Sequence, residues 1–100
     1  MGRVVKAGLV GRDLDRIFSA ISENNGLNVA TAQVSRIENA LQRLGAFPNL
    51  GRNRSDLRPA LRTLSVKPWT VLYRVKGEDV IILRVLDERP DLAAQFGKKT

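Results

Sequence analysis

The sequence predicts an α+β fold: an N-terminal strand, an antiparallel helical hairpin, then a three-stranded antiparallel β-meander forming one sheet. Two observations carry this reading. Between residues 12 and 44 apolar side chains recur at spacings of three and four, the period of helices that bury one face. From residue 61 the pattern changes to short β-branched runs separated by proline and glycine, the mark of consecutive strands.

Taken in order, Arg3 to Lys6 is short and β-branched and reads as an edge strand. Gly8 and Gly11 bracket a break, and a first helix is expected from about Arg12. Its Leu14, Ile17, Phe18 and Ile21 stand at i, i+3, i+4 and i+7. Asp13 and Asp15 fall in its first turn, where the macrodipole favours acids, and read as solvated. Asn24-Asn25-Gly26 ends the helix through residues that tolerate left-handed backbone. A second helix is expected from about Asn28 to Leu44, with Ala30, Val34, Ile37, Leu41 and Leu44 as its stripe. Gly45 is its expected C-cap, and Pro48 forbids continuation. A connection this short makes an antiparallel helical hairpin.

The meander comprises Leu61 to Val66, Thr70 to Val75 and Val80 to Leu83. Lys67-Pro68 supplies one turn and Lys76-Gly77-Glu78-Asp79 the other, where a glycine can take positive φ. Val75 opposite Val80 sets Tyr73 opposite Ile82 and Val71 opposite Arg84; Leu64 opposite Val71 sets Arg62 beside Tyr73. On this register Leu72, Ile81, Leu83 and Val85 lie under the helices. Val71, Tyr73, Val75, Val80 and Ile82 then line an uncovered face on which Arg62, Tyr73 and Arg84 gather. A slip of one residue would move them apart.

One hundred residues make one domain, taken as residues 1–96 with a basic tail at 97–100. No apolar run approaches the roughly 20 residues of a membrane span, and Met1 to Val10 has no leader-like apolar segment. With no cysteine, no disulfide framework is expected, and the expected location is the cytoplasm. The net charge is +7, and its distribution matters more than its size. Between Arg43 and Lys76 stand eight cations against one acid, Asp56, a difference equal to the whole net charge. Such a stretch fits an acidic partner, nucleic acid or protein, or else a solvated basic loop.

No histidine and no cysteine are present, so Ser-His-Asp, Cys-His and thiolate-zinc arrangements are excluded. The acid pairs Asp13/Asp15, Glu78/Asp79 and Asp87/Glu88 do not form acid–base couples, and no metal or cofactor is expected. What stays open is chemistry run by arginine, lysine and tyrosine: phosphate clamping, charge stabilisation or plain binding. Trp69 and Tyr73 beside Lys67 and Arg74 make a poor base-stacking platform and read as structural.

Four ordered motifs then carry a resemblance: Phe47-Pro48-x-Leu50-Gly51-Arg52; Leu57-Arg58-Pro59-x-Leu61-Arg62-x-Leu64; Val71-Leu72-Tyr73-Arg74-Val75; and Ile82-Leu83-Arg84-Val85-Leu86 closed by Asp91-Leu92. With Arg12-Asp13-Leu14-x-x-Ile17 and Arg36-Ile37-x-x-Ala40-Leu41 in the helices, the chain resembles ParE toxins of the RelE/ParE superfamily. The resemblance implies a bacterial toxin that poisons DNA gyrase and assembles into a hetero-oligomer with a ParD-like antitoxin. Nucleic acid would bind weakly and non-specifically at most. Target contacts are expected at Arg52, Arg54, Arg58, Arg84 and Arg89, and antitoxin contacts at Arg58, Arg62, Val71, Tyr73, Val75, Ile82 and Arg84. The alternative is a RelE-like ribonuclease in which Arg62, Tyr73 and Arg84 hold the scissile phosphate; a third reading is a bare nucleic-acid-binding domain. Two departures count against the nuclease. The histidine many relatives carry after the last strand gives way to Asp87-Glu88, and Ser65 stands where nucleases carry an arginine.

Overall fold

The computed structural model describes residues 2–88. Its elements are β1 (Val4–Lys6), α1 (Val10–Asn25), α2 (Leu27–Ala46), β2 (Arg52–Asn53), β3 (Arg62–Val66), β4 (Trp69–Lys76) and β5 (Asp79–Asp87). The expected strand, helical hairpin and meander are all present. Two short edge strands extend the meander to five, in the order β1-β5-β4-β3-β2. β1 pairs in parallel with β5, Val4 opposite Val80 through Lys6 opposite Ile82. β2 pairs antiparallel with β3 through Arg52–Thr63 and Asn53–Arg62.

The helices run slightly longer than their stripes imply. Gly26, at φ 91°, is the sole residue between them. Such an angle suits glycine, so one residue suffices to reverse the chain. Gly45 is not the C-cap expected for it, because α2 continues through Ala46 and stops before Pro48. Its lack of a side chain serves packing instead: a Cβ there would lie 2.9 Å from a methyl of Val4, so the position lets β1 lie against α2.

The hairpin registers agree with the expected pairs Val75–Val80, Tyr73–Ile82, Leu64–Val71 and Arg62–Tyr73. The next pair differs. A bulge falls between Leu72 and Tyr73, so Leu72 meets Arg84 and Val71 meets Val85, with Leu83 the extra residue. One inserted residue reverses the alternation beyond it. Arg84 therefore lies on the opposite face from Tyr73 and Ile82, and the expected Arg62–Tyr73–Arg84 cluster does not form.

The assignment of faces is also exchanged, except at Val85, which the bulge returns to the helix side where it was expected. Val71, Tyr73, Val80, Ile82 and Val85 are fully buried in one core with Ile37, Leu41 and Leu44 of α2 and Leu14 and Ile17 of α1; Val75 packs against its edge. The reason is that both faces of β4 are apolar. Val71, Tyr73 and Val75 offer as plausible a core row as Leu72 does with its neighbours, and alternation alone cannot choose. The face away from the helices carries Leu72, Leu83, Arg84 and Leu86. The 54–61 loop folds back onto it through Arg58, Pro59 and Leu61.

This arrangement sets the relative cost of two neighbouring truncations. Ile82→Ala opens a cavity in the shared core and is expected to cost about 2–5 kcal/mol. Leu83→Ala, at the half-buried bulge, is expected to cost on the order of 1 kcal/mol, since less area returns from water to protein. Urea midpoints of the two variants decide the matter: an equal or larger loss for Leu83→Ala would return the faces to their alternative assignment.

Candidate functional site

Three features on the sheet can meet a partner: a loop held by Tyr73, an ion-pair network at the β5 edge, and the face the helices leave open. The loop comes first. Tyr73 lies at the centre of β4 with its ring in the core and its hydroxyl at the β3 side of the sheet. The hydroxyl donates to the Pro48 carbonyl at 2.7 Å and accepts from the Gly51 N–H at 2.8 Å. Arg62, opposite Tyr73 on β3, donates to the Gly51 carbonyl at 2.7 Å. A phenol and a guanidinium thus fix the 48–51 turn from both sides. Gly51 is required here, because a Cβ would lie 2.6 Å from the phenolic oxygen and 2.7 Å from the Thr63 carbonyl. Burial raises the Tyr73 pKa, outweighing the Gly51 hydrogen bond and the nearby Arg62 charge. The phenol therefore stays neutral and committed to the backbone. What the turn presents to solvent is apolar: Phe47 is 63% exposed and Leu50 47%.

Asp13 is not the solvated helix-turn acid expected for it. It occupies the buried stripe of α1 with Val10, Leu14 and Ile17, and is 1% exposed. Its Oδ2 accepts from the Val85 N–H at 3.0 Å and from Arg84 Nε at 2.8 Å. Its Oδ1 accepts from Arg84 Nη2 at 2.8 Å and Arg16 Nη1 at 3.1 Å. Burial pushes the carboxyl pKa up, but hydrogen bonds from Arg84, the Val85 N–H and Arg16 outweigh it and hold the group below the ordinary range. Arg84 is raised in turn, chiefly by its hydrogen bonds to Asp13. The sequence does carry a signal for this, since Asp13 sits three residues after Val10 and four before Ile17.

The open face forms a groove of about 670 Å³ lined by Leu9, Arg58, Leu61, Leu72, Leu83, Arg84 and Leu86. It joins a smaller cleft of about 260 Å³ where Pro59 and Arg74 meet Leu83. Of the expected target residues, Arg52 is exposed on β2, and Arg58 is exposed at the groove rim. Arg54 is turned to Asp56 in a two-bond pair at 2.9 and 3.0 Å. Arg84 belongs to the Asp13 network, and Arg89 lies outside the described residues, as do Asp91, Leu92 and the 97–100 tail. Of the expected antitoxin residues, Arg58 and Arg84 border the open groove. Val71, Tyr73, Val75 and Ile82 are withdrawn to the helix side, and Arg62 is engaged with the turn. Sequence reasoning missed Leu9, Leu61, Leu72 and Leu86 as lining residues, and missed Phe47 and Leu50 as exposed apolar side chains.

A small α+β domain with a helical hairpin on one face of a five-stranded sheet and a groove on the other is the class of fold these features define. Residues 7–92 match the family of ParE toxins of the parDE type II toxin–antitoxin system, and the chain belongs to it. Toxin ParE3 of Caulobacter vibrioides is 65% identical over 100 residues, covering 100% of both chains. Toxin ParE1 of Mycobacterium tuberculosis is 34% identical over 80 residues, 79% of this chain and 82% of that one. Among solved structures, a chain from the chromosomal ParDE system of P. aeruginosa superposes with a TM-score of 0.79 at 27% identity, covering 89% of this chain and 98% of that one.

Two outcomes follow from the bonded groups. Because the folded pKa of Asp13 lies below its unfolded value, the stabilisation is complete above the unfolded value and is lost as pH falls through the folded one. Asp13→Asn is expected to cost on the order of 3 kcal/mol near neutrality, the low end for a broken buried pair because Arg84 remains partly hydrated. The gap to the parent closes as pH drops below about 4. Urea titrations at pH 7 and pH 3 check the sign; a gap of constant size would mean the ionised carboxylate is not the stabilising species. Tyr73→Phe leaves the Pro48 carbonyl and Gly51 N–H unpaired and is expected to cost about 1–3 kcal/mol. Its amide-exchange signature is faster exchange at Gly51, while the centre of β4 stays protected.

Proposed function

We propose that this protein is the toxin of a type II pair that occupies DNA gyrase and blocks replication without covalent chemistry of its own. The observation that carries the reading is the dispersal of the residues a nuclease would use. Tyr73 is buried and bonded to backbone, Arg62 serves the same turn, and Arg84 faces the other way in the Asp13 network. A ribonuclease needs such groups convergent on one phosphate. Their commitment elsewhere favours a toxin that works by contact.

The contact surface we assign to the target is the turn that Tyr73 holds. Phe47 and Leu50 project from a backbone fixed at Pro48 and Gly51, with Arg52 next in the chain. Apolar side chains on a pre-ordered turn lose little entropy on binding, the property of interface anchors. The gyrase reading places the protein in the cytoplasm, and none of the described helices is long and apolar enough to cross a membrane.

A ParD-like antitoxin, as in the ParDE system of P. aeruginosa, is the proposed neutraliser. Its apolar residues would cover Leu9, Leu83 and Leu86, and its acids would meet Arg58 at the rim. Arg84 is a poorer anchor than its charge implies, because Asp13 already takes it.

Purified protein is expected to inhibit gyrase supercoiling and leave mRNA on translating ribosomes intact. Phe47→Ala should weaken the inhibition about tenfold or more while the melting temperature barely moves, since the side chain is largely exposed. Codon-specific mRNA cleavage with gyrase unaffected would reverse the reading. For the antitoxin, Leu86→Glu and Arg58→Glu are each expected to weaken binding about tenfold or more, equivalent to roughly 1.4 kcal/mol. Val75→Thr, on the helix side, should leave affinity unchanged; calorimetric titration of a ParD-like protein into the three variants separates the two faces.

A further inference from the structure

Cations on the described surface divide into two sorts. Arg3 pairs with Asp79, Lys6 with Glu38, Arg54 with Asp56, and both Arg16 and Arg84 with Asp13. Arg36, Arg43 and Lys67 have no carboxylate partner among the described residues. They are nonetheless brought together. Arg36 and Arg43 stand seven residues apart on α2, two helical turns along one face, and Lys67 is the turn residue between β3 and β4. All three line a groove of about 480 Å³ between α2 and β3, with Asn39 beside them and Ala40 and Val66 as an apolar floor.

The groove is also built. Arg36 Nη2 donates to the Lys67 carbonyl at 3.0 Å and Nη1 to Gln33 Oε1 at 2.6 Å. These neutral acceptors fix the guanidinium without cancelling its charge. The Ser65 hydroxyl is turned to Glu88 at 3.3 Å, so Ser65 contributes backbone rather than hydroxyl to the wall. Among the described residues no carboxylate lines the groove, Glu88 standing outside it on Ser65.

From this we infer that the α2–β3 groove, with Arg36, Arg43, Lys67 and Asn39, is a phosphodiester-binding site that takes a nucleic-acid backbone without reading bases. Arginine, lysine and asparagine side chains are the usual donors to phosphate oxygens, and a separation of two helical turns, about 11 Å, lets the two arginines meet different, non-adjacent phosphates of one backbone rather than one carboxylate. An apolar floor of one alanine and one valine offers no aromatic face on which a base could stack and no base-edge donor pattern. Binding is therefore weak, tolerant of sequence and steep in salt. The expected loop around Arg52, Arg54 and Arg58 is not the centre of this surface, because Arg54 is already paired with Asp56.

The site rests on the groove alone and not on the gyrase reading; the test contains no gyrase, so either can fail without the other. A fluorescein-labelled 20-base-pair duplex and a single strand of the same length are titrated with the full chain across a salt series. Three phosphate contacts predict a slope of log K against log salt of about −2.7 on the duplex and about −2.1 on the single strand. Arg43→Gln and Lys67→Gln, whose side chains make no described hydrogen bond, should each reduce the duplex slope by about 0.9. The triple variant with Arg36→Gln should lose about tenfold or more in affinity at low salt. A matched triple, Arg12→Gln, Arg74→Gln and Lys76→Gln, removes the same charge from elsewhere and should change affinity less than about threefold. Equal losses in the two triples would overturn the site and leave only net charge. So would a groove triple that keeps duplex affinity but loses binding to a twelve-residue poly-glutamate peptide, which would assign the groove to an acidic protein segment.

Discussion

The structure depends on one buried carboxylate. β1 covers the outer edge of β5 only as far as Ile82, where the Ala7 N–H closes the pairing. Beyond that point β5 would present unpaired backbone to the first turns of α1. Asp13 supplies the missing acceptor to the Val85 N–H, and its remaining lone pairs draw in Arg84 and Arg16. A side chain so placed does three things together. It ends the sheet edge, it fixes the distance between α1 and β5, and it turns Arg84 along the edge rather than out into solvent. Without the charge, α1 loses the ion pairs that join it to β5, and Val10, Leu14 and Ile17 are left to seat it.

Tyr73 plays the matching part from the middle strand, its hydroxyl reaching the 48–51 turn. Its ring fills the core while its hydroxyl holds the 48–51 turn, so a strand interior and a surface loop share one residue. This coupling explains why Gly51 and Tyr73 belong together: the glycine leaves the space the hydroxyl needs. The sheet is thereby bounded by two polar anchors, Asp13 on the β5 side and Tyr73 on the β3 side. The apolar groove on the open face meets the Asp13 anchor only through Arg84, and the cationic groove beside α2 shares no residue with either anchor. Division of the surface into an apolar and a cationic part lets two partners be recognised by different chemistry.

Much of this was legible in the residues. The helical stripes of Leu14, Ile17, Ile37, Leu41 and Leu44, the turns at Lys67-Pro68 and Gly77, and the pairs Val75–Val80 and Arg62–Tyr73 follow from period and turn chemistry. The family motifs stood in order over nearly the whole chain. What was not legible has two physical causes. A bulge leaves no mark in a run such as Ile81-Ile82-Leu83, yet it transfers Arg84 to the other face. A strand apolar on both sides gives alternation nothing to choose between, so the covered face could be told only by packing. The β2 strand is two residues long, below what a pattern can reveal. Asp13 lay within the stripe, but an acid in a first turn has an ordinary explanation that conceals the extraordinary one.

The parallel pairing of β1 with β5 has a consequence for synthesis. The helical hairpin and the β3–β4–β5 meander are each built from neighbours in sequence, whereas β1 must wait for a strand more than seventy residues downstream. The ribosome releases β5 last among the described elements, and with it the Arg84 and Val85 partners of Asp13 and the pairing partner of β1. At synthesis rates of about 5–20 residues per second, the nascent chain spends seconds with its helices formed and no closed sheet for them to cover. The open groove, lined in part by Leu83, Arg84 and Leu86, comes into being only with β5. A toxin built in this order gains its open face only once β5, the last described strand, has emerged, and a partner already present meets that face as it forms.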